Sequence, residues 1–233
     1  MSTTRKNNPL LELLINIVIP SVILMKFSGE QDLGAVGGLL AALAFPLAWG
    51  AVELLGRGRI NFFSVLGLVS ILLTGGIGLL QLDTRWLAVK EAAIPGLIGL
   101  AVLLSTRTRY PLVRTMLYNP TLFDVARVQQ QLEARGTTRH FEARLQNATY
   151  LLGGTFFFSA AMNYFLATWI VTSPAGSEAF NAELGRLTLL SYPMIALPSM
   201  LMMMAALYYL SRAMRELAGL TLVDALNANV GRQ

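Results

Sequence analysis

The stretch Asn61–Leu82 reads NFFSVLGLVSILLTGGIGLLQL and carries no charged side chain. A helix needs about 20 apolar residues to cross a hydrocarbon core of about 30 Å, so this run predicts a membrane span by itself. Working outward, five more apolar runs flank it. They are Leu10–Met25, Leu33–Val52, Leu87–Ser105, Ala148–Val171 and Leu187–Leu210. Short charged clusters separate them. The chain therefore reads as all-α: a polytopic transmembrane helix bundle of six spans.

Composition agrees. The 233 residues are 55% hydrophobic and 13% charged, against roughly 25% charged in soluble domains. The surplus apolar surface calls for lipid as solvent. The net charge of +5 comes from loop-flanking residues, not from one basic face, and no recognition module accompanies it, so nucleic acid is not an expected partner. With no cysteine, disulfides, thiolate metal sites and cysteine nucleophiles are excluded. The polar stretch Met1–Asn8 precedes an apolar run without a small-residue cleavage site, and the first run reads as a retained span.

The basic residues sort by side. Arg5, Lys6, Arg57, Arg59, Arg107, Arg109, Arg114, Arg127, Arg135, Arg139, Arg144, Arg212, Arg215 and Arg232 fall on one face, and only Lys26, Arg85, Lys90 and Arg186 on the other. By the positive-inside rule both termini are cytoplasmic. Four regions follow: a four-span part (1–118), a cytoplasmic amphipathic connector (119–147), two further spans (148–210) and a cytoplasmic C-terminal helix and tail (211–233). In the connector, Asn119-Pro120-Thr121 and Asp124 mark a helix start. Leu122, Val125, Val128 and Leu132 recur at helical spacing, and Gly136 splits the segment. It reads as an interfacial connector resting on headgroups, with Arg127, Arg135, Arg139 and Arg144 as partner or headgroup contacts. Met214, Leu217, Leu220 and Leu226 mark one side of a last helix, Ser211–Leu226, lying along the cytoplasmic surface.

Ionisable residues deep in a membrane are costly and usually functional. These span boundaries leave the spans free of central charge, with Glu12, Lys26, Glu53, Asp83, Lys90 and Glu91 near interfaces. Asp83, Arg85, Lys90 and Glu91 form an outer cluster, with Asp83 expected to pair with Lys90 and Arg85 with Glu91. That cluster is either a set of ion pairs fixing the helix ends or a contact for a solute or headgroup. Asn163 is the strongest polar residue within a span, suited to an interhelical hydrogen bond or a substrate contact, with Thr155, Ser159, Ser191 and Tyr192 as companions. Met200, Met202, Met203 and Met204 read as flexible core packing, since consecutive helical residues cannot converge on one copper ion. His140 is the single histidine. No Walker loop or G-x-S-x-G elbow is present. No enzyme activity, metal or cofactor is expected.

Several local motifs carry a family resemblance. A proline-bearing first helix, INIVIPSVILMKF, is followed by a basic turn and INFFSVLGLVSILLTGGIGLL. Asp83 lies in LQLDTRW, Lys90 opens the next helix, and the basic Arg109-Tyr110-Pro111-Leu112-Val113-Arg114 follows. Over roughly the first half of the chain this resembles the intracellular septation protein A family of bacterial inner-membrane proteins. The proline after the lysine stands later than in that family, at Pro95, and the two last spans extend the family core. The resemblance implies a bacterial inner-membrane protein tied to cell-envelope maintenance or division, working through lipid or protein contacts, with no catalytic residues to carry over.

Two functions compete on the residues. One is non-enzymatic envelope support through partners, with a homodimer allowed by the small-residue face of the second span. The other is a small transporter or lipid-handling protein, because Pro20, Pro46, Pro95, Pro193 and Pro198 bend spans and can open a cavity. An enzyme acting on a lipid is a distant third. A polar cavity lined by Asn163 or Lys90 would favour transport.

Overall fold

The computed structural model describes residues 13–57, 62–108, 124–221 and 223–225. Glu12, Arg59, Arg109, Arg114, the helix start Asn119–Thr121, Leu122, Leu226 and the basic residues Arg5, Lys6 and Arg232 lie outside them. Every regular element among the described residues is helical. In chain order these are a π turn (Leu14–Val18) running into α1 (Ile19–Lys26), α2 (Gly34–Arg57), α3 (Phe62–Leu79), α4 (Arg85–Ser105), α5 (Val125–Ala134), α6 (Thr138–Ile170), α7 (Glu178–Ser191), a second π turn (Tyr192–Ala196) and α8 (Leu197–Ala218).

Four stretches are long and apolar enough to cross a membrane: Gly34–Val52, Arg85–Ser105, Thr138–Ile170 and Glu178–Ala218. Two shorter apolar helices, Leu14–Lys26 and Val65–Leu79, accompany them. The spans expose large side chains such as Leu97, Leu201, Trp86 and Trp169. A water-soluble monomer rarely exposes apolar surface so continuously, whereas lipid solvates it without cost. Trp86 and Trp169 stand near helix ends, where amphipathic rings favour the interface.

The chain divides into two compact units. The first comprises residues 1–93 and 161–195. In it α1 packs on α7 and α2, and α2 on α3 and α7. Its core includes Leu24, Leu39, Ala42, Ile77, Leu87, Leu166, Phe180 and Leu187. Gly185 lets α7 close on α1: a Cβ there would meet the Ser21 carbonyl at 2.8 Å and Met25 Cγ at 2.7 Å. Asn181 is fully buried and its amide donates to Ser28 Oγ (3.0 Å) and the Ala35 carbonyl (2.7 Å), tying α7 to the α1–α2 connection. Glu183 accepts from the backbone and hydroxyls of Thr172 and Ser173, fixing the loop after α6.

The second unit comprises residues 94–160 and 196–233. Asp124 caps α5 by accepting from Arg127 N at 3.0 Å. The chain breaks at Gly136 with φ of 65°, as the sequence suggests. The part of the connector after Gly136 is the start of the 33-residue α6. Val128 and Leu132 do not face headgroups. They bury with Phe141, Met214, Ala218, Leu220 and Ala225 in a small protein core. The expected surface helix over 211–226 is likewise corrected. It continues the sixth apolar run without a break to Ala218, where Gly219 adopts a left-handed φ of 67°. The apolar stripes of both segments satisfy each other, leaving neither for the membrane surface. The methionine run is corrected as well: Met200, Met202, Met203 and Met204 are exposed, not core.

Candidate functional site

The first unit holds a cavity of about 310 Å³. Helical periodicity builds its walls. Leu39, Ala42, Leu43 and Pro46 supply one stripe from α2, and Leu184, Leu187, Thr188, Ser191 and Tyr192 another from α7 and the turn after it. Both sets follow the i, i+3, i+4, i+7 pattern of one helix face. Ser70, Ile71 and Thr74 face it from α3, Lys90 and Glu91 from α4, and Asn163 from α6. Asn16, Pro20, Ser21 and Leu24 close the remaining side.

Lys90 is the polar centre. Its side chain is 8% exposed and its ammonium sits 2.7 Å from Glu91 Oε1. It also donates to Thr74 Oγ1 at 2.7 Å and Ser70 Oγ at 3.3 Å. Two of the three ammonium donors are taken by hydroxyls, and the Glu91 carboxylate balances the charge. Burial of an unpaired charge would be very unfavourable, and this ligation is what makes the position tolerable. Glu91 is 30% exposed, so its carboxylate reaches both the cation and open space.

Three hydroxyls of the cavity spend their hydrogens on their own helices. Thr74 donates to the Ser70 carbonyl (3.0 Å), Thr188 to Leu184 (3.0 Å) and Ser191 to Leu187 (2.7 Å). Two buried polar atoms of the lining, Asn16 Oδ1 and Ser21 Oγ, have no protein partner. Buried polar atoms are usually satisfied, so an orphan pair in a cavity wall marks a place prepared for something else.

The expected outer cluster divides. Lys90 and Glu91 turn into the cavity and pair with each other, not with Asp83 and Arg85. Asp83 instead caps α4, accepting from Arg85 N at 2.8 Å, and neither it nor Arg85 lines the cavity. Asn163, Ser191 and Tyr192 meet there as anticipated, while Thr155 donates to the Leu151 carbonyl. Sequence reasoning missed Asn16, Ser70 and Thr74. The spacing of Ser70 and Thr74, four apart in an uncharged run, is the signal by which they could have been found.

Three of the four connector arginines contact residues of their own unit. Arg127 donates to the Asp224 carbonyl at 3.2 Å. Arg135 lies where a Cβ on Gly219 would fall. Arg144 donates to Tyr209 Oη at 3.3 Å and lies 5.3 Å from the ring centroid. Arg139 is exposed. No group of three or more potential metal-ligating His, Cys, Asp or Glu occurs among the described residues. Compared with known protein families, characterised proteins and solved structures, the chain matches none.

Proposed function

We propose that this chain is a six-span bacterial inner-membrane protein with both ends in the cytoplasm, without enzymatic activity, that binds a small polar solute or a lipid headgroup in the Lys90–Glu91 cavity and passes it on. The observation that carries this reading is that one cavity is lined by both Lys90 and Asn163. Leu14–Lys26 and Val65–Leu79 count as the two short spans, giving the even number of crossings between successive outer loops that the charge bias requires. Small-molecule sites are mostly apolar clefts with a few convergent polar groups, which describes this lining.

A second reading, envelope maintenance or division through protein contacts, rests on the resemblance to the septation protein A family and on the exposed Arg139. One complementation experiment separates the two. In cells lacking the protein, a cavity-filling Ser70→Leu chain should fail to restore envelope integrity, while Arg139→Ala should restore it. The opposite pattern would favour partner docking. Because the chain has no cysteine, single cysteines at Ser177 and Thr137 report topology directly. Only the first should react with an impermeant thiol reagent added from outside.

A further inference from the structure

Resting on the cavity as the binding site proposed above, we infer that it receives the primary ammonium group of its ligand and not an anion. A buried lysine invites the opposite reading, but this one donates to Thr74 and Ser70 and is already ion-paired with Glu91 at 2.7 Å. An arriving anion would have to displace Glu91 and would then face that carboxylate at close range. The charged lining residues, Lys90 and Glu91, sum to zero.

Acceptors predominate in what the wall has left over, with the Ser21 hydroxyl able to donate as well. A carboxylate accepts at about four lone-pair sites, and Lys90 engages Glu91 through one oxygen. Asn16 Oδ1 and Ser21 Oγ are unpartnered. Thr188 and Ser191 have spent their hydrogens and keep lone pairs. Proline adds to this set. It supplies no N–H to the carbonyl four residues earlier. For Pro20, Pro46 and Pro95 those carbonyls belong to Asn16, Ala42 and Glu91, each a lining residue.

A primary ammonium brings three donors to this set. A quaternary ammonium brings none and is recognised by aromatic cages, whereas Tyr192 is the single aromatic residue of the lining. The volume lies at the small end of ligand pockets, which run from about 300 Å³. The ammonium belongs either to a free amine or to a phosphatidylethanolamine headgroup.

The test uses the full chain in phosphatidylglycerol nanodiscs, with the thermal unfolding midpoint followed as ethanolamine, choline, acetate or phosphate is titrated. A parallel series replaces part of the lipid by phosphatidylethanolamine or phosphatidylcholine. Ethanolamine or phosphatidylethanolamine should raise the midpoint, and choline and phosphatidylcholine should not. A response to ethanolamine identifies a free amine, and a response to the lipid alone identifies a headgroup. Glu91→Gln should weaken the effect at least roughly tenfold, as loss of a charged hydrogen-bond partner does. Asn16→Leu should do so as well while keeping the Lys90–Glu91 pair, so a folding defect in the first variant does not decide the matter. Glu216→Gln, outside the cavity, should leave the effect unchanged. If acetate or phosphate stabilises and the amines do not, the binding cavity stands and the ammonium inference falls. If no probe shifts the midpoint, both fall. An amine effect undiminished in both cavity variants places the amine elsewhere and overturns the inference.

Discussion

Around Leu132, polar groups close on one another. Thr137 donates to the Leu217 carbonyl at 2.8 Å, Asp124 N to the Ala225 carbonyl at 2.8 Å, and Thr221 and Asp224 bond reciprocally. Around Lys90, a charged pair and six hydroxyls surround open volume, and two wall atoms lack partners. Both regions are built from helices of the same chain, yet one is a dry core sealed by hydrogen bonds and the other a cavity with valence to spare. A sealed core maximises stability. Unspent hydrogen-bonding capacity lowers it, and such a sacrifice fits a place where something binds.

The contrast can be broken most forcefully in the sealed region. Leu132→Ala, at a site that is 1% exposed, should cost about 2–5 kcal/mol in reversible unfolding. A loss under 1 kcal/mol would mean the small core is not packed as described. Next comes the pair. Glu91→Met alone should destabilise by up to about 3 kcal/mol, since it strands the buried Lys90 cation, while adding Lys90→Met should recover most of that loss. A double-mutant cycle measures the coupling, and additive effects would show that the pair is not a unit. Gly219→Ala should cost about 1 kcal/mol or more, because the left-handed backbone strains any L side chain and the new methyl meets the Arg135 guanidinium. Arg135→Ala should relieve the second part of that cost and leave the first.

The smallest effect is a pH dependence. The Thr221 hydroxyl, and after it the Thr221 amide, hold the Asp224 carboxyl below the usual carboxylate range. A folded value below the unfolded one, about 4, means the native state binds fewer protons. The contribution is complete above the unfolded value and fades as pH falls through the folded one. Asp224→Asn should flatten unfolding profiles in that acid window and nowhere else. A flattened profile near neutral pH would assign the effect to another group.

Much of the helical architecture was legible because lipid demands it. An uncharged run such as 61–82 has few alternatives, and Trp86 and Trp169 fall at helix ends as aromatic belts require. The break at Gly136 and the cap at Asp124 were legible from local chemistry. Where Ser211 lies was not, since a helix leaving a membrane for water keeps the same backbone and shows no terminator before Gly219. The burial of Val128 and Leu132 was also hidden. An amphipathic stripe states that it needs an apolar neighbour but not whether that neighbour is lipid or protein. At the site, distance along the chain misled. Lys90 lies close enough to a loop to read as interfacial, and its turn inward depends on Ser70 and Thr74, which carry no charge to announce it.

The π turn at Leu14–Val18 gives the cavity an unusual footing. Asn16 and Ser21 are five residues apart, and an α-helix would set their side chains about 140° apart. A wide turn, closing its bonds across five residues, brings them toward one face. Such a turn amounts to one extra residue in the helical register. Deleting a single apolar residue between them would leave Asn16 and Ser21 four apart, about 40° from each other on a plain α-helix, and so still on one face. The cavity's chemistry is thus written partly in spacing: five residues across a wide turn, or four in a plain α-helix, set Asn16 and Ser21 on one side, whereas five in a plain α-helix would part them.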